Sequence, residues 1–167
     1  VEDTLAIGPA TVLTNATVLP QRTVDELRRI SDASAYTLEL RVSIDGVTAE
    51  RNDAIRGEGS FHRALEAVGR LVRAGFLPIV TTVRSWDDRE TDAVLERFRE
   101  VLAGVGYERP RLKILPPLRI GAEAERGRGY ADAERVTPEM MANYPADLLL
   151  CSSARLVLSL IHISEPT

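Results

Sequence analysis

Four short segments with strand character recur along the chain, and a helical pattern stands between each one and the next. The segments begin near positions 10, 37, 77 and 111. They are Ala10–Asn15, Thr37–Ile44, Leu77–Val83 and Arg111–Leu115. Strands that alternate with helices at this spacing predict successive βαβ units, which build a parallel sheet through right-handed crossovers. The expected fold class is therefore α/β, with parallel βα repeats.

The helices between these strands are predicted from capping signals and from apolar residues at helical spacing. A polar loop is expected to lead from the second strand to Ser60, a preferred N-cap residue. The three predicted helix starts are Thr23 in a capping box with Glu26, Ser60, and Ser85 with Asp88. Beyond Pro117 the pattern predicts an arginine-rich loop, a short helix at Thr137–Tyr144 and a short strand at Leu148–Cys151.

The second strand distinguishes between two kinds of parallel sheet. Its apolar and polar residues alternate in the order Leu38, Glu39, Leu40, Arg41, Val42, Ser43, Ile44 and Asp45. A central strand covered by helices on both faces is apolar throughout. One polar face therefore favours a barrel or partial barrel, with helices on the outside and a polar interior. A doubly wound sheet remains the alternative.

Small hydrogen-bonding side chains stand at the ends of three successive strands. They are Thr14 and Asn15, then Ser43 and Asp45, then Thr81 and Thr82. The carboxyl ends of parallel strands meet at one edge of the sheet, where α/β proteins bind ligands. These residues are therefore candidates for a polar binding site. It is equally consistent with the pattern that Asp45 only stabilises its turn with Gly46 and that Ser43 only fills space.

Arg56 begins the segment Arg56-Gly57-Glu58-Gly59, which precedes a predicted helix start. Backbone N–H groups at a helix start favour anions, so this segment is a candidate for binding a carboxylate or phosphate. It lacks the spacing of a phosphate-binding loop or of a dinucleotide fingerprint. The residues alone favour a solvated loop over an anion site.

The composition argues against several classes of partner. The formal net charge is −4 and the pI is about 5.3, which argues against a general binder of nucleic acid or of anionic membranes. No apolar run approaches the ~20 residues of a membrane helix. The single cysteine, Cys151, cannot form an internal disulfide, so a cytoplasmic location is expected.

Two stretches resemble a known enzyme family. The first, LRVSIDGVTAERNDAIRGEGSFHRALEAVGRLVRAGF, resembles the fourth strand, loop and helix of radical S-adenosylmethionine (SAM) enzymes, in the branch related to molybdenum-cofactor and peptide-maturation proteins. The second, VLTNATVL, resembles the third strand of that family, which usually ends in Thr-Asn-Gly; here Ala16 replaces the glycine. The resemblance covers roughly Gly8 to Val157.

The resemblance implies a fragment of a partial (βα)6 TIM-like barrel that holds SAM and a [4Fe-4S] cluster. Such an enzyme cleaves SAM reductively at the cluster to start radical chemistry. The substrate would be an unknown small molecule or peptide, and the electron donor a flavodoxin or ferredoxin. By position in the family pattern, Ser43 and Asn15 are expected to contact the cofactor and Leu115 to pack on its adenine. Asp45 and Arg56 are expected neighbours.

The chain also departs from the family pattern. The three-cysteine cluster motif and the Gly-Gly-Glu-Pro-like segment that precede the third strand are not in this sequence, so the cluster ligands are absent. Cys151 resembles the start of a segment that binds an auxiliary cluster in some relatives. Residues 1–157 are therefore expected to be the central part of a barrel domain truncated at both ends, and inactive alone. Residues 158–167, LSLIHISEPT, match the translation of a transposase-type sequencing adapter and are expected to be non-native.

Two other functions remain open from the residues. One is another TIM-barrel enzyme, such as a metal-independent aldolase, which would need a lysine at a strand end. Lys113 is the only lysine in the chain. The other is a non-catalytic, degenerate barrel that acts as a binding module. Three cysteines spaced for one cluster in the upstream gene sequence would favour the radical SAM enzyme over both.

Overall fold

One four-stranded sheet, in which all neighbouring strands run parallel, forms the centre of the computed structural model. The strands are β1 (Ala10–Thr14), β2 (Leu38–Ser43), β3 (Ile79–Val83) and β4 (Arg111–Leu115). Their order in the sheet is β1-β2-β3-β4. The predicted parallel α/β fold is confirmed. The fourth strand has the predicted bounds, and the other three are one or two residues shorter.

The structure describes residues 1–119, 124–125 and 127–145. The chain divides into two compact units, Val1–Pro117 and Leu118–Thr167. The sheet lies in the first unit. The predicted strand at Leu148–Cys151, the Cys151 thiol and the predicted tail at 158–167 all lie outside the described residues.

The connections between the strands determine which kind of parallel sheet this is. The first unit contains the helices α1 (Glu2–Leu5), α2 (Gln21–Ala33), α3 (Ala49–Arg56), α4 (Ser60–Arg73) and α5 (Thr91–Ala103). Because the strand order follows the chain order, right-handed crossovers bring α2, α4 and α5 to the same side of the sheet. This is the winding of a partial TIM-like barrel rather than of a doubly wound sheet.

The two faces of the sheet differ in burial. Leu40, Val42 and Val80 are at most 3% exposed and share one apolar cluster with Val68 of α4 and Leu102 of α5. The opposite face, called the open face below, carries half-buried or exposed side chains on β1, β2 and β4, namely Thr11, Leu13, Glu39, Arg41, Ser43, Arg111 and Lys113. Ile79 and Thr81 of β3, on the same face, are buried. The predicted polar face is therefore present. The helices bury the apolar face, and this burial stabilises the fold more than the polar contacts of the open face do.

Two helices begin at residues other than the predicted ones. Helix α2 begins at Gln21 and not at Thr23, because the carbonyl group of Pro20 already accepts a hydrogen bond from the Thr23 N–H. Helix α5 is preceded by a 3-10 turn, and the side chain of Asp87 caps that turn in a capping box. Ser85 is therefore not the cap of this segment.

The second unit contains a 3-10 turn at Asp132–Glu134 and a short helix, α6 (Pro138–Met141), among its described residues. Thr137 is the cap of α6 and not its first residue, and Pro138 occupies the first position. The helix is shorter than the predicted Thr137–Tyr144. Across the described part of the chain, no helix combines the length and the apolar character that crossing a membrane requires.

Candidate functional site

The carboxyl ends of β2 and β3 bring two hydroxyl groups together. Ser43 pairs with Thr81 in the register of the sheet, and Ser43 Oγ lies 3.4 Å from Thr81 Oγ1. The Thr81 hydroxyl also donates to the carbonyl group of Val42 over 3.4 Å. Both distances are long for O–H···O hydrogen bonds. The half-buried Ser43 hydroxyl therefore keeps the capacity to bind a polar ligand at the open face, with the 4% exposed Thr81 beneath it as a hydrogen-bond partner.

Asp45 and Arg56, predicted as neighbours of this site, form a buried ion pair beside it. Asp45 Oδ2 lies 2.6 Å from Arg56 Nη2, and the two side chains are 4% and 25% exposed. Asp45 Oδ1 accepts a hydrogen bond of 2.9 Å from the N–H of Val83 at the end of β3. Both carboxylate oxygens are thus engaged. Arg56 Nε is buried and has no hydrogen-bond partner among the described residues.

Asn15 follows the end of β1 and is exposed. Its Oδ1 accepts hydrogen bonds from the N–H and the hydroxyl of Thr17, at 3.2 and 3.0 Å. Ala16 between them is 1% exposed and has a φ of 54°, in the left-handed region that glycine adopts most easily. This conformation explains why a glycine suits the position. The described contacts of Asn15 are local and include none of the other candidate residues.

Leu115 ends β4 and is 36% exposed. It pairs with Val83 in the sheet, and its carbonyl group accepts a hydrogen bond of 2.9 Å from the N–H of Arg84. The N–H group of that same Val83 donates a hydrogen bond to the Asp45 carboxylate. The ends of β2, β3 and β4 therefore form a continuous edge, called the carboxyl edge below, with Ser43, Asp45, Arg56 and Leu115 around it.

Charged residues on the open face form a separate network nearer the amino ends of the strands. Glu39 Oε1 lies 2.7 Å from Arg41 Nη2, and Glu39 Oε2 lies 3.3 Å from Arg111 Nη2. The hydrogen bond from Arg41 is the main cause of the lowered pKa of Glu39, with a smaller contribution from Arg111. These groups satisfy one another, and Glu39 and Arg111 also line a cavity of about 580 Å³ at the amino ends of the strands, apart from the carboxyl edge.

The segment before α4 departs most from the sequence prediction. Residues predicted as a polar loop form helix α3, which Thr48 caps by accepting a hydrogen bond from the Arg51 N–H. Ser60 is the first residue of α4 and not its N-cap. The cap is instead the carboxylate of Asp53, which accepts hydrogen bonds from the N–H groups of Gly59 and Phe61 at 2.7 and 2.8 Å. A side chain distant in sequence therefore supplies the cap.

The Asp53 carboxylate is held in its ionised form by this arrangement. Burial by itself raises its pKa, but hydrogen bonds from Phe61 N–H, the Asn52 amide, the Ser60 hydroxyl and Gly59 N–H outweigh burial and lower the pKa to about 2. The helix start also favours a negative charge at this position. Asp53 therefore remains a carboxylate at neutral pH.

Gly46 allows α3 to pack directly against the end of β2. A Cβ atom at this position would lie 2.6 Å from the backbone nitrogen of Asn52 and 2.8 Å from the Cβ of Arg51. Backbone atoms cannot move aside as the end of a flexible side chain can. Only glycine therefore permits this close approach.

The donor set fits the two expected cofactors to different degrees. The hydroxyl pair of Ser43 and Thr81 and the nearby Arg56 can bind a polar cofactor that carries a carboxylate. A cluster needs thiolates, whereas the sequence has one cysteine. Within the residues that the structure describes, no group of three or more His, Cys, Asp or Glu side chains could hold a metal ion. The described residues thus fit SAM but not the cluster.

No protein-family model matches the chain. It is 48% identical over 51 residues to mycofactocin maturase MftC of Mycobacterium tuberculosis, a match that covers 30% of this chain and 13% of that protein. The MftC of Mycolicibacterium smegmatis is 40% identical over 67 residues, or 38% of this chain and 17% of that protein. The AdoMet-dependent heme synthase of Methanosarcina barkeri is 35% identical over 125 residues, or 74% of this chain and 33% of that protein. The aligned part therefore spans from about an eighth to a third of these relatives.

Proposed function

We propose, because this chain belongs to the radical SAM enzyme superfamily, that the protein containing it cleaves SAM reductively at a [4Fe-4S] cluster and uses the resulting radical chemistry on a substrate. The observation that carries this proposal is the pair of hydroxyl groups of Ser43 and Thr81. They lie at the carboxyl edge of a parallel sheet that helices cover on one face only. Ligands of barrels bind at this edge.

Together the two cofactors supply one-electron cleavage of the sulfonium and abstraction of a hydrogen atom from the substrate. The side chains of this chain bind and orient SAM. The hydroxyl of Ser43, with Thr81 beside it, is proposed to bind a polar group of SAM. Arg56, held by Asp45, presents positive charge at the same edge, and Leu115 offers an apolar surface for the adenine. Asn15 is proposed as a further contact from the end of β1.

The cluster ligands are proposed to lie outside the part of the chain that the structure describes. No step of the reaction is assigned to a residue of this chain. The proposed substrate is a small molecule or a peptide, in keeping with relatives named as a maturase and as a heme synthase. A flavodoxin or ferredoxin is the proposed electron donor, and a cytoplasmic location is proposed from the cysteine content.

The test of this function is the substitution Ser43→Ala in the full-length protein after anaerobic reconstitution. A hydrogen bond to a charged group contributes about 1.5–3 kcal/mol. Loss of the Ser43 hydroxyl is therefore expected to raise the Kd for SAM by about ten- to a hundredfold. Equilibrium dialysis measures the Kd, and formation of 5′-deoxyadenosine reports cleavage.

The matched control is Ser31→Ala, which removes the same hydroxyl from helix α2, remote from the carboxyl edge. It is expected to leave the Kd unchanged. An unchanged Kd in Ser43→Ala would remove Ser43 from the binding site. Absence of both SAM binding and 5′-deoxyadenosine in the reconstituted wild-type protein would contradict the proposed function itself.

The two competing functions receive less support from the geometry. Lys113 lies in the middle of β4 rather than at its end and is exposed, which is a poor position for an aldolase lysine. A binding module that has lost catalysis would bind SAM without cleaving it. The same pair of measurements therefore separates this alternative from a radical SAM enzyme.

A further inference from the structure

Asn52 is fully buried although it lies on a short and otherwise exposed or half-buried helix. It is the one buried residue among the eight of α3. Burial of an amide group is unfavourable unless its hydrogen bonds are satisfied. Hydrogen bonds, and not apolar packing, therefore stabilise Asn52 in this buried position.

The amide of Asn52 joins three parts of the chain. Its Oδ1 accepts a hydrogen bond of 2.9 Å from the N–H of Asp45, just beyond the end of β2. Its Nδ2 donates to the hydroxyl of Ser60 at 2.8 Å, at the start of α4, and to Asp53 Oδ1 at 3.2 Å. Asn52 thus connects the end of one strand to the start of the following helix.

The contact with Asp45 has a consequence for the carboxyl edge. The pairing of β2 with β3 ends with Ser43 and Thr81, followed by a hydrogen bond of 2.9 Å from Ile44 N–H to the Thr81 carbonyl group. The N–H of Asp45 has no strand partner and binds Asn52 instead. This contact fixes the backbone from which the Asp45 carboxylate reaches Val83.

The position of Asp45 in turn determines the position of Arg56. One carboxylate oxygen binds the Val83 N–H and the other binds Arg56 Nη2. If the backbone of Asp45 moved, both contacts would be lost together. The separation of the ends of β2 and β3, and the direction of the Arg56 guanidinium, therefore depend on the Asn52 amide.

We infer that Asn52 is a positioning residue for the carboxyl edge, acting through Asp45 on Val83 and Arg56. This inference rests on the function proposed above, in which that edge binds SAM. Asn52 does not contact the cofactor; it holds in place the groups that do. Its effect on SAM affinity should therefore exceed the effect of an equally large loss of stability elsewhere.

The experiment compares Asn52→Ala with Val24→Ala in the full-length protein. Val24 is fully buried in α2 and belongs to the apolar cluster on the covered face of the sheet, so its truncation lowers stability without removing a hydrogen bond of the Asn52 network. Two quantities are measured at a temperature at which both variants are folded. They are the Kd for SAM and the amide hydrogen exchange of Asp45 and Val83, whose N–H groups belong to the proposed network.

We expect Asn52→Ala to raise the Kd for SAM at least tenfold and to accelerate exchange at both Asp45 and Val83. Val24→Ala should leave the Kd within twofold of the wild-type value, with the two amides protected as long as the protein is folded. Equal effects of the two variants on the Kd would overturn the inference, as would unchanged exchange at Val83 in Asn52→Ala.

The variant Asn52→Asp covers the case in which Asn52→Ala does not fold. It keeps the size and the oxygen that accepts from Asp45 N–H, but it loses the two donated hydrogen bonds and places a second carboxyl oxygen near Asp53 Oδ1, where the Asn52 amide nitrogen lies at 3.2 Å. We expect exchange at Asp45 and Val83 to stay slow, exchange at Gly59 and Phe61 to accelerate, and the Kd for SAM to rise less than in Asn52→Ala. Fast exchange at Asp45 in Asn52→Asp would contradict the proposed path.

The exchange data also separate this inference from the proposed function. If the wild-type protein does not bind SAM, the proposed function fails, and loss of Val83 protection in Asn52→Ala still tests the coupling. If SAM binds and Val83 protection does not depend on Asn52, the coupling fails and the proposed function stands.

Discussion

Asp53 shows how a single side chain can complete a helix that begins several residues later. Its carboxylate accepts hydrogen bonds from Gly59 N–H, Phe61 N–H and the Ser60 hydroxyl. These groups would otherwise include unsatisfied donors at the helix start. The same hydrogen bonds stabilise the ionised carboxylate and lower its pKa to about 2, against a reference value of 3.8. The folded state therefore binds a proton at Asp53 less readily than the unfolded state does.

The stability contributed by the ionised Asp53 is expected to depend on pH. Because the pKa is lower in the folded state, this contribution is fully present above the unfolded value of 3.8 and is lost as the pH falls towards about 2. We expect Asp53→Asn, which cannot supply a charged acceptor, to be less stable at pH 6 and to lose less stability than the wild type between pH 4 and 2.

Urea unfolding at several pH values measures this difference. Other carboxylates titrate in the same range in both proteins, so the comparison uses the difference between the two and not the slope of either. Parallel curves for the wild type and Asp53→Asn would show that the pKa of Asp53 is not lowered by folding.

At the scale of the elements, the sheet has one apolar and one polar face, and strand residues of the same type can have opposite environments. Leu40 is 3% exposed and lies in the apolar cluster, whereas Leu13 on the neighbouring strand is 68% exposed on the open face. Leu13 pairs with Arg41, whose side chain lies on the same face. The partial barrel winding explains this contrast, because the helices cover only one face.

The substitutions Leu40→Ala and Leu13→Ala form a matched pair across the sheet. Truncation of a buried leucine leaves a cavity and is expected to cost about 2–5 kcal/mol of unfolding free energy. Truncation of an exposed leucine is expected to change it by less than about 0.5 kcal/mol. Chemical denaturation of both variants measures the two values. A large loss in Leu13→Ala would indicate that the open face is covered in solution.

At the scale of the whole molecule, the chain contains a sheet whose carboxyl edge we propose as a SAM site, but too few thiols for a cluster. Its 167 residues include one cysteine, Cys151. Iron–sulfur clusters of this type are held by several cysteine thiolates. The thiolates of a cluster are therefore proposed to come from outside the residues that the structure describes.

Anaerobic reconstitution of the 167-residue chain with iron and sulfide is expected to give no stoichiometric [4Fe-4S] cluster and no 5′-deoxyadenosine. The reason is that one thiolate cannot replace the three that the family motif supplies. Visible absorption and iron and sulfide analysis measure cluster content, with a three-cysteine radical SAM enzyme treated in parallel as the positive control. A stoichiometric cluster on this chain would contradict the prediction.

The sequence predicts most of the residues around the candidate site, but it does not predict the hydrogen bonds that connect them. The positions of Ser43, Asp45 and Leu115 at strand ends follow from the strand pattern, and the resemblance adds Arg56 as a neighbour. The sequence does not distinguish Asn52 from its polar neighbours, because nothing in a polar segment indicates which residue is buried. A capping residue at Thr48 followed by helix-forming residues was the available signal for helix α3.

The alternation of strands and helices, the parallel sheet and the polar face of β2 can be predicted from the sequence, because they depend on periodicity within short segments. The packing of the folded chain, in contrast, is what makes Asp53, and not Ser60, cap α4 and what brings Asp45 to the Val83 N–H group. Ser43 and Thr81, like Asp45 and Val83, are separated by 38 positions. Contacts over such distances arise when the helices pack on one face and bring the ends of neighbouring strands together, and no local pattern encodes them.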